Sequence, residues 1–557
     1  MTPRRLALPA FVLCLAGALT AAAAGAEWSK AALFGADVRS LAVAPDRPDT
    51  VFAGTSGGQV YLSHDGGRTW TEPAPEPLFP GWVVAALRFD PNQPRRLWAG
   101  MWGVWGGGMV AFSDDDGARW TWRQDGLAGQ VYSLALVPGE PGKVLIGTRR
   151  GVWTSTDEGQ TWRHLTAALP EMQKVTSLLV DATSSHTLFA GTWRRAYRSD
   201  DGGATWRGVF TGMDLDREVF SLTPVPERPG ELWASTCGWV YRSPDRGGQW
   251  TMHRQGLTAN RTPSFGILPG GRLLAGTVGG LFTSDDDGKS WLRASAENLT
   301  VLAIAVHPAR PRRVLLGTEG SGVWRSEDGG ATFERAAEGM TNVRVAALQA
   351  VGAELVAAVN HAGPASGLYS SIDGGRTFQL QKGGLPTVLA LAASGELVWA
   401  ATEKGLWQRG IDFLWQRVAE VPEVRVERVE VSAGQIVART QRALYERKEG
   451  RFAAQQPSPL AAAEQRSGDA SWQGASGASG RVVATGDRRF SHLLLDDHGD
   501  GARLWDEVGR QAHPLPLPVP ARDVTSAVLV RERLILGTAN DGVVVTDRSA
   551  VPALTAR

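Results

Sequence analysis

The sequence predicts an all-β fold built from about twelve repeats of four short strands, and three observations predict it. Glycine supplies 67 of the 557 residues, well above the roughly 7 % of an average protein, which suits many tight turns. The segment Ser63–Trp70, SHDGGRTW, recurs in eight copies with small changes. An apolar strand ending in Gly-Thr or a relative of it, such as Val144–Thr148, precedes each copy and occurs about twelve times at a mean spacing of about 44 residues. Four strands in about 44 residues are typical of a β-propeller blade.

The strands of one unit can be read from the first repeat. Val38–Val43 is predicted as the first strand, and Pro45–Pro48 as the turn after it. Val51–Gly54, Gln59–Ser63 and Thr69–Glu72 are predicted as the second, third and fourth strands, because β-branched and aromatic residues alternate between turn residues. Twelve such units fill the chain after its first residues, so no room remains for a separate catalytic domain.

The recurring segment resembles the Asp box (BNR repeat) of β-propeller proteins. These include sialidases, two-propeller xyloglucanases, sortilin-type receptors and the photosystem II stability/assembly factor family. The resemblance implies that the segment lies on the face opposite the ligand site. Its glycine, carboxylate and hydroxyl suit a turn, where they cap backbone N–H groups, so its aspartates are predicted to be structural. They are Asp65, Asp115, Asp157, Asp201, Asp245, Asp286, Asp328 and Asp373.

Two propellers are predicted, because twelve blades in one ring would leave a wide, poorly filled hole. Proline-containing first hairpins give way to glycine turns, and the Asp box is lost from the ninth blade onward. The expected division is a signal peptide at 1–26, a first propeller of about seven blades at 27–340, and a second of about five degenerate blades at 341–557. A loop insertion is expected at 453–480. The chain ends are expected to share the last blade, and six plus six blades is the alternative.

The N-terminus predicts export. Arg4 and Arg5 precede an uncharged apolar run, and Ala24-Gly25-Ala26 has the small-x-small pattern of a cleavage site. An uncleaved anchor is the alternative, and no later stretch is apolar enough to cross a membrane. Cys14 and Cys237 are the two cysteines, so the processed chain can form no internal disulfide. These features favour a secreted or periplasmic bacterial protein. The net charge of +1 predicts no nucleic-acid partner.

A ligand face follows from strand order. If Asp boxes join the third and fourth strands on one face, the loops between the second and third strands lie on the other. In the first propeller these loops carry four tryptophans and four arginines, which predict a platform for a glycan, an anionic polymer or a protein. The alternative is that the tryptophans fill the tunnel or pack between blades while the arginines are solvated. The residues are Trp102, Trp105, Arg149, Arg150, Trp193, Arg194, Arg195 and Trp239.

Catalytic residues of the resembled hydrolases are not found. The sialidases carry an Arg-Ile-Pro motif that is absent here, and Ser56 stands where the xyloglucanases place a catalytic aspartate. Carboxylates on the ligand face could still form a pair; the candidates are Asp214, Asp216, Glu218 and Glu319. No cofactor or metal is predicted. A weak EF-hand-like string of Asp496, Asp500 and Glu507 is interrupted by His498 and favours a degenerate turn.

The sequence therefore predicts an exported, non-catalytic binding or scaffold protein, with the assembly-factor family as the functional analogy. Its expected partner is an envelope protein or a glycan, and its oligomeric state is left open. A glycoside hydrolase or glycan-binding protein acting on polysaccharide is one alternative. A purely structural envelope protein is the other.

Overall fold

The computed structural model describes most of the chain from residue 28 onward. The residues outside the described part are 1–27, 31, 75–81, 104–105, 128, 214–217, 260, 296–298, 361–365, 382–384, 411–412, 433–434, 456–470, 474–478, 486–491, 497–500, 509, 520, 531–532, 540 and 547–557. The predicted signal peptide falls among them. The described residues form fifty strands and one short 3-10 helix, Ala521–Asp523, so the all-β prediction is confirmed.

Seven successive sheets form a first ring. Blade 1 contains β3 (Val38–Val43), β4 (Val51–Thr55) and β5 (Val60–Ser63), and blade 2 contains β6 (Trp82–Phe89), β7 (Leu97–Gly103), β8 (Gly108–Ser113) and β9 (Thr121–Arg123). Blade 3 contains β10 (Val131–Leu136), β11 (Val144–Thr148), β12 (Gly151–Ser155) and β13 (Arg163–His164). Blade 4 contains β14 (Val175–Asp181), β15 (Ser184–Thr192), β16 (Ala196–Ser199) and β17 (Arg207–Gly208). Blade 5 contains β18 (Val219–Pro224), β19 (Leu232–Thr236), β20 (Val240–Ser243) and β21 (Thr251–His253). Blade 6 contains β22 (Ser264–Ile267), β23 (Leu273–Thr277), β24 (Gly280–Ser284) and β25 (Leu292–Arg293). Blade 7 contains β26 (Val301–His307), β27 (Arg310–Thr318), β28 (Gly322–Ser326) and β29 (Glu334–Arg335).

The first ring is closed. Each blade is an antiparallel sheet in sequence order, and its first strand packs against the first strand of the next blade. β26 of blade 7 packs against β3 of blade 1, which completes the circle. In blade 1 the fourth strand is reduced to a bridge between Leu62 and Thr71.

Five further sheets form a second set. Blade 8 contains β31 (Val345–Val351), β32 (Glu354–Val359), β33 (Gly367–Ser371) and β34 (Gln379–Leu380). Blade 9 contains β35 (Val388–Ser394), β36 (Leu397–Thr402), β37 (Gly405–Arg409) and β38 (Trp415–Arg417). Blade 10 contains β39 (Val426–Ser432), β40 (Gln435–Thr440), β41 (Leu444–Lys448) and β42 (Arg451–Gln455). Blade 11 has five strands, β43 (Ser471–Gln473), β44 (Ser479–Ala484), β45 (His492–Asp496), β46 (Gly501–Asp506) and β47 (Gln511–Pro516). Blade 12 contains β48 (Val524–Val530), β49 (Arg533–Thr538) and β50 (Val543–Thr546).

The N-terminal strand belongs to the last sheet. β1 (Trp28–Lys30) pairs antiparallel with β50 and supplies the outer strand of blade 12. The chain then passes to the first ring through β2 (Gly35–Ala36), which pairs in parallel with β30 (Thr341–Asn342). β31 packs against both β48 and β35. The segment predicted as a loop insertion at 453–480 includes the described strand β43 and the start of β44, which pair as a hairpin.

The core lies between neighbouring blades. A typical cluster joins Phe52 and Leu62 of blade 1 to Val84 and Leu87 of blade 2. Strands buried on both faces explain the almost continuous apolar runs at second-strand positions, such as β4, whose five residues are all buried. Across the described residues no helix has the length and hydropathy needed to cross a membrane.

The Gly-Thr marker has a packing reason. In blade 3, Gly147 lies opposite Ser133, whose hydroxyl donates to the Val175 carbonyl of blade 4 at 2.9 Å. A Cβ on Gly147 would overlap the Ser133 Oγ and lie 2.5 Å from the Val175 oxygen. The glycine is therefore needed for close approach of two blades. The following Thr148 caps the next turn, donating to the Gly151 carbonyl at 3.0 Å.

The eight Asp boxes are turns between the third and fourth strands. In blade 3, Asp157 accepts from the Ser155 hydroxyl at 2.7 Å, the Thr161 N–H at 2.9 Å and the Thr161 hydroxyl at 2.6 Å. The Thr161 hydroxyl and N–H, followed by Ser155, lower the pKa of Asp157 to about 2. A serine hydroxyl and a backbone N–H donate to the aspartate in the other boxes too, as at Asp328 with Ser326 and Thr332. The second hydroxyl is replaced by the Arg119 side chain at Asp115 and by Gln249, which donates through its backbone, at Asp245. The carboxylates are therefore engaged within their own turns.

Candidate functional site

The predicted ligand residues lie at one end of the first ring, here called the loop face. Successive connections of an antiparallel sheet alternate between its two ends, so the loops between second and third strands lie at the end opposite the Asp boxes. Backbone bonds join each of these loops to the start of the first strand of its blade. Arg149 N–H donates to the Gln130 carbonyl at 3.1 Å, and Cys237 N–H to that of Glu218 at 3.3 Å. The connections between blades therefore reach the same face.

A lysine links two of the predicted residues. Lys174, in the connection between blades 3 and 4, places its Nζ 3.6 Å from the ring centroid of Trp193. The backbone N–H of Lys174 donates to the backbone carbonyl of Arg149 at 3.0 Å. Burial lowers the pKa of Lys174, nearby Glu218 raises it, and Arg261 and Arg149 lower it further. Trp193 remains 48 % exposed. This arrangement is a cation–π contact with an open indole surface.

Trp102 is linked to Arg149 by a tyrosine, Tyr132. The ring centroids of Trp102 and Tyr132 are 6.2 Å apart, and the Tyr132 hydroxyl donates to Gln130 Oε1 at 2.6 Å. Burial raises the pKa of Tyr132, while the charge of Arg149 lowers it. Trp102 is half-buried. The structure thus brings Trp102, Arg149 and Trp193 to one region, with Tyr132 and Lys174 between them.

A cavity of about 610 Å³ lies beside this group, between blades 2, 3 and 4. Arg149 and Arg150 border it and are both exposed. His164, stacked on Trp153 at 4.4 Å between centroids, also lines it. His164 Nε2 is 2.9 Å from the Arg150 carbonyl; because a carbonyl only accepts, Nε2 carries the proton. Gly129 forms part of the lining, and a Cβ there would contact both arginine side chains.

Other predicted residues do not join the group. Arg195 stacks on Phe210, with 4.1 Å from its guanidinium carbon to the ring centroid. Trp239 packs against the apolar clusters on both sides of blade 5, with Arg254 5.5 Å from its ring. Arg194 is exposed, and Trp105 lies outside the described residues. For Trp239, the packing alternative describes its contacts.

Lys174 was missed because the cationic and aromatic candidates were taken only from the loops between second and third strands. The same alternation of connections places the segments between blades on the loop face. Extending the search for cations to the residues just before each first strand, where Glu218 was already a candidate, would have found Lys174 and Arg261. We name the set Trp102, Arg149, Arg150, Lys174 and Trp193 the arginine–tryptophan group.

Wherever a shift is resolved among the described residues, the pKa of an aspartate is lowered, as at Asp49, Asp116 and Asp287 beside arginines. Glu218 and Glu319 lie on the loop face and bond through their backbones to its loops, whereas Asp214 and Asp216 fall outside the described residues.

The metal candidate stays unsupported. Asp496 is the last residue of β45, Asp500 is outside the described part, and Glu507 Oε1 lies 3.7 Å from His492 Nδ1. The described residues contain no group of three or more histidine, cysteine or acidic side chains placed to hold a metal ion.

No protein-family model matches the sequence, and no curated protein matches it either. Solved structures are similar in fold. The GH74 xyloglucanase from Xanthomonas campestris has 18 % identity and a TM-score of 0.60, covering 94 % of this chain and 100 % of that one. The GH74 enzyme of Niastella koreensis has 16 % identity and a TM-score of 0.58, covering 93 % and 99 %. PorZ, a surface component of the type-IX secretion system of Porphyromonas gingivalis, has 11 % identity and a TM-score of 0.51, covering 93 % and 86 %.

Proposed function

We propose that this chain is an exported, non-catalytic binding protein of the Asp-box superfamily whose ligand docks on the arginine–tryptophan group. It has two propeller domains, at 27–340 and 341–557, with the N-terminal strand β1 shared into the last blade of the second. The observation that carries the proposal is Trp193, which is 48 % exposed while Lys174 holds its ring at 3.6 Å. An exposed tryptophan fixed in place offers a large apolar surface at little cost in side-chain entropy.

The charge around Trp193 favours a ligand with anionic groups. Lys174 contacts its ring, the backbone N–H of Lys174 bonds to the Arg149 carbonyl, and Arg194 is the next residue along the chain. Glu218 is the acid whose charge acts on Lys174. Arginine binds carboxylates and phosphates through paired N–H groups. An acidic polysaccharide or an acidic segment of an envelope protein carries such groups. Export is supported by the signal-peptide pattern of residues 1–26 and by the surface location stated for PorZ.

The test is retention on immobilised acidic polysaccharide, neutral polysaccharide and envelope protein extract. Trp193→Ala is expected to weaken retention at least tenfold, since the stacking surface is lost. Trp122→Ala is the matched control, because Trp122 is similarly exposed at 41 % but lies on β9 away from the group. Equal retention of both variants would place the ligand elsewhere.

A glycoside hydrolase is the second candidate, favoured by the full-length similarity to two GH74 enzymes. Such an enzyme needs one carboxyl as acid and a second as base or nucleophile. Glu218 and Glu319 are two predicted candidates that the structure describes on the loop face. Release of reducing ends from a polysaccharide panel, abolished by Glu218→Gln or Glu319→Gln, would replace the binding proposal with this one.

A further inference from the structure

The central channel of the first ring contains an arginine for which the described residues provide no acidic partner. The channel has a volume of about 400 Å³ and is lined by residues of the seven first strands. Arg88 and Arg39 are the arginines in its lining. Arg39 is neutralised by Asp37, with Arg39 Nη2 2.7 Å from the Asp37 carboxylate. The Arg88 guanidinium donates a hydrogen bond from Nη1 to the adjacent Leu87 carbonyl at 2.8 Å.

Strand register shows how unusual this position is. Arg88 lies opposite Trp98 in its blade, which is equivalent to Ala42 opposite Phe52 in blade 1. The equivalent residues of the other blades are uncharged and mostly small: Ala42, Ala135, Leu179, Thr223, Gly266 and Ala305. Six uncharged neighbours leave space and add no negative charge. Thr223, on the far side of the seven-bladed ring, adds a hydroxyl at the same level.

The second set of blades carries the opposite charge at this level. Glu430 of blade 10 lies opposite Val437, the position equivalent to Arg88. It lines a channel of about 670 Å³ together with Glu427 and Arg428, and Arg428 Nη1 lies 3.9 Å from its carboxylate. The charge at this level is therefore positive in the first channel, and negative and paired with Arg428 in the second.

Desolvation makes a lone guanidinium costly. Arg88 is surrounded by the ring, and burial alone lowers the pKa of its side chain. Its residue surface nevertheless stays exposed, and because Arg88 lines the channel, that surface opens into it. A charged group removed from bulk water is stable when a counter-charge with hydrogen-bond acceptors sits beside it.

We propose that the first-ring channel binds a small oxyanion at Arg88, either a tetrahedral anion or a carboxylate. Two oxygens of such an anion match the paired N–H groups of a guanidinium, and the Thr223 hydroxyl can donate to a third oxygen across the channel. The site is separate from the arginine–tryptophan group, so either can exist without the other.

Calorimetric titration of the full chain with sulfate, phosphate and acetate, at constant ionic strength in chloride, tests the proposal. Wild type is expected to bind at least one of them saturably, and the order of affinity identifies the oxyanion type. Arg88→Gln should weaken binding at least tenfold and raise the Tm measured without oxyanion, because a positive charge without an acidic partner is removed from the channel. Arg207→Gln removes the same charge from the exposed surface of blade 4 and should leave binding unchanged.

Two results would overturn the site: no saturable binding by wild type, or equal affinity in Arg88→Gln. If Arg88→Gln fails to fold, wild-type crystals soaked in selenate replace it. An anomalous peak within hydrogen-bond distance of the Arg88 guanidinium is then expected, and its absence at a saturating concentration counts against the proposal.

Discussion

The first ring and the second set of blades differ in how they form the turn between the third and fourth strands of a blade. The first ring has an Asp box in each of its seven blades, while blade 8 alone has one in the second set, centred on Asp373. In blade 10 the third and fourth strands are joined by Glu449 and Gly450, both at positive φ. A two-residue turn of that kind matches the twist of its strands without side-chain caps. One set relies on carboxylate hydrogen bonds, and the other also uses backbone geometry.

They also differ in how neighbouring blades approach. In the first ring a serine on the first strand commonly faces a glycine on the second, as Ser133 faces Gly147. In blades 8 and 9 both positions are alanine, as in Ala390 opposite Ala401. There the bond between blades comes from Asn360, whose side-chain amide donates to the Val388 carbonyl at 2.6 Å. The space beside a marker glycine commonly holds a serine hydroxyl in the first ring, as it does at Ser526 opposite Gly537 in blade 12. In blades 8 and 9 two alanine methyl groups take these places.

The largest expected effect is a difference in acid sensitivity. The pKa of Asp157, Asp201 and Asp286 is lowered to about 2, first by the hydroxyls that donate to them. A lowered folded-state pKa gives stability that is present above the unfolded value of 3.8 and lost as pH falls toward about 2. With seven boxes against one, the first ring should lose more stability in this window. Pulse proteolysis with pepsin in urea at pH 3 and 4.5 measures this by region.

The control for acid sensitivity is a carboxyl that no longer titrates. Asp201→Asn keeps one acceptor oxygen but cannot take up a proton, so the first ring should show a flatter dependence on pH. Earlier cleavage of the second set than of the first at pH 3 would contradict the comparison.

Changing the blade contact should have the next largest effect. Gly147→Ala forces a methyl group onto the Ser133 hydroxyl and the Val175 carbonyl, and overpacking of this kind costs about 1–3 kcal/mol. The reverse change in the second set, Ala401→Gly, costs about 0.5–1 kcal/mol through backbone entropy. Urea unfolding of the full chain measures both. Gly100→Ala is the internal control, since its partner is Ala86 and its nearest new contact is 3.1 Å. An equal loss in Gly147→Ala and Gly100→Ala would remove the serine from the explanation.

The repeat was readable because each unit alternates short strands with turns, and the predicted fold class is confirmed. The reason for the marker glycine was not readable, because it depends on the Val175 carbonyl of the next blade. The directions of the loop side chains could not be predicted from the sequence either. Trp193 and Trp239 follow equivalent strands, yet one is exposed and the other packs between blades. Arg88 ends an apolar run, and its place in a channel follows only from ring closure.

The smallest expected effect concerns the fourth residue of the Asp box. It is glycine at 66 and 374, but Asp116 occupies it in blade 2 at φ 55° and binds Arg47 of blade 1 through two bonds of 2.8 and 2.9 Å. A non-glycine residue at positive φ costs about 1 kcal/mol, and a partly exposed ion pair returns at most about 1 kcal/mol.

Asp116→Gly should therefore be within about 0.5 kcal/mol of wild type, because the lost ion pair is offset by relief of backbone strain. Asp116→Ala loses the pair and keeps the strain, so it should be about 1 kcal/mol less stable than Asp116→Gly. Gly374→Ala introduces the strain alone into the second set and should cost about the same. Urea midpoints of the three variants measure these differences. If Asp116→Gly were as unstable as Asp116→Ala, the ion pair would outweigh the strain, and contacts between blades would matter more in the first ring than turn geometry does.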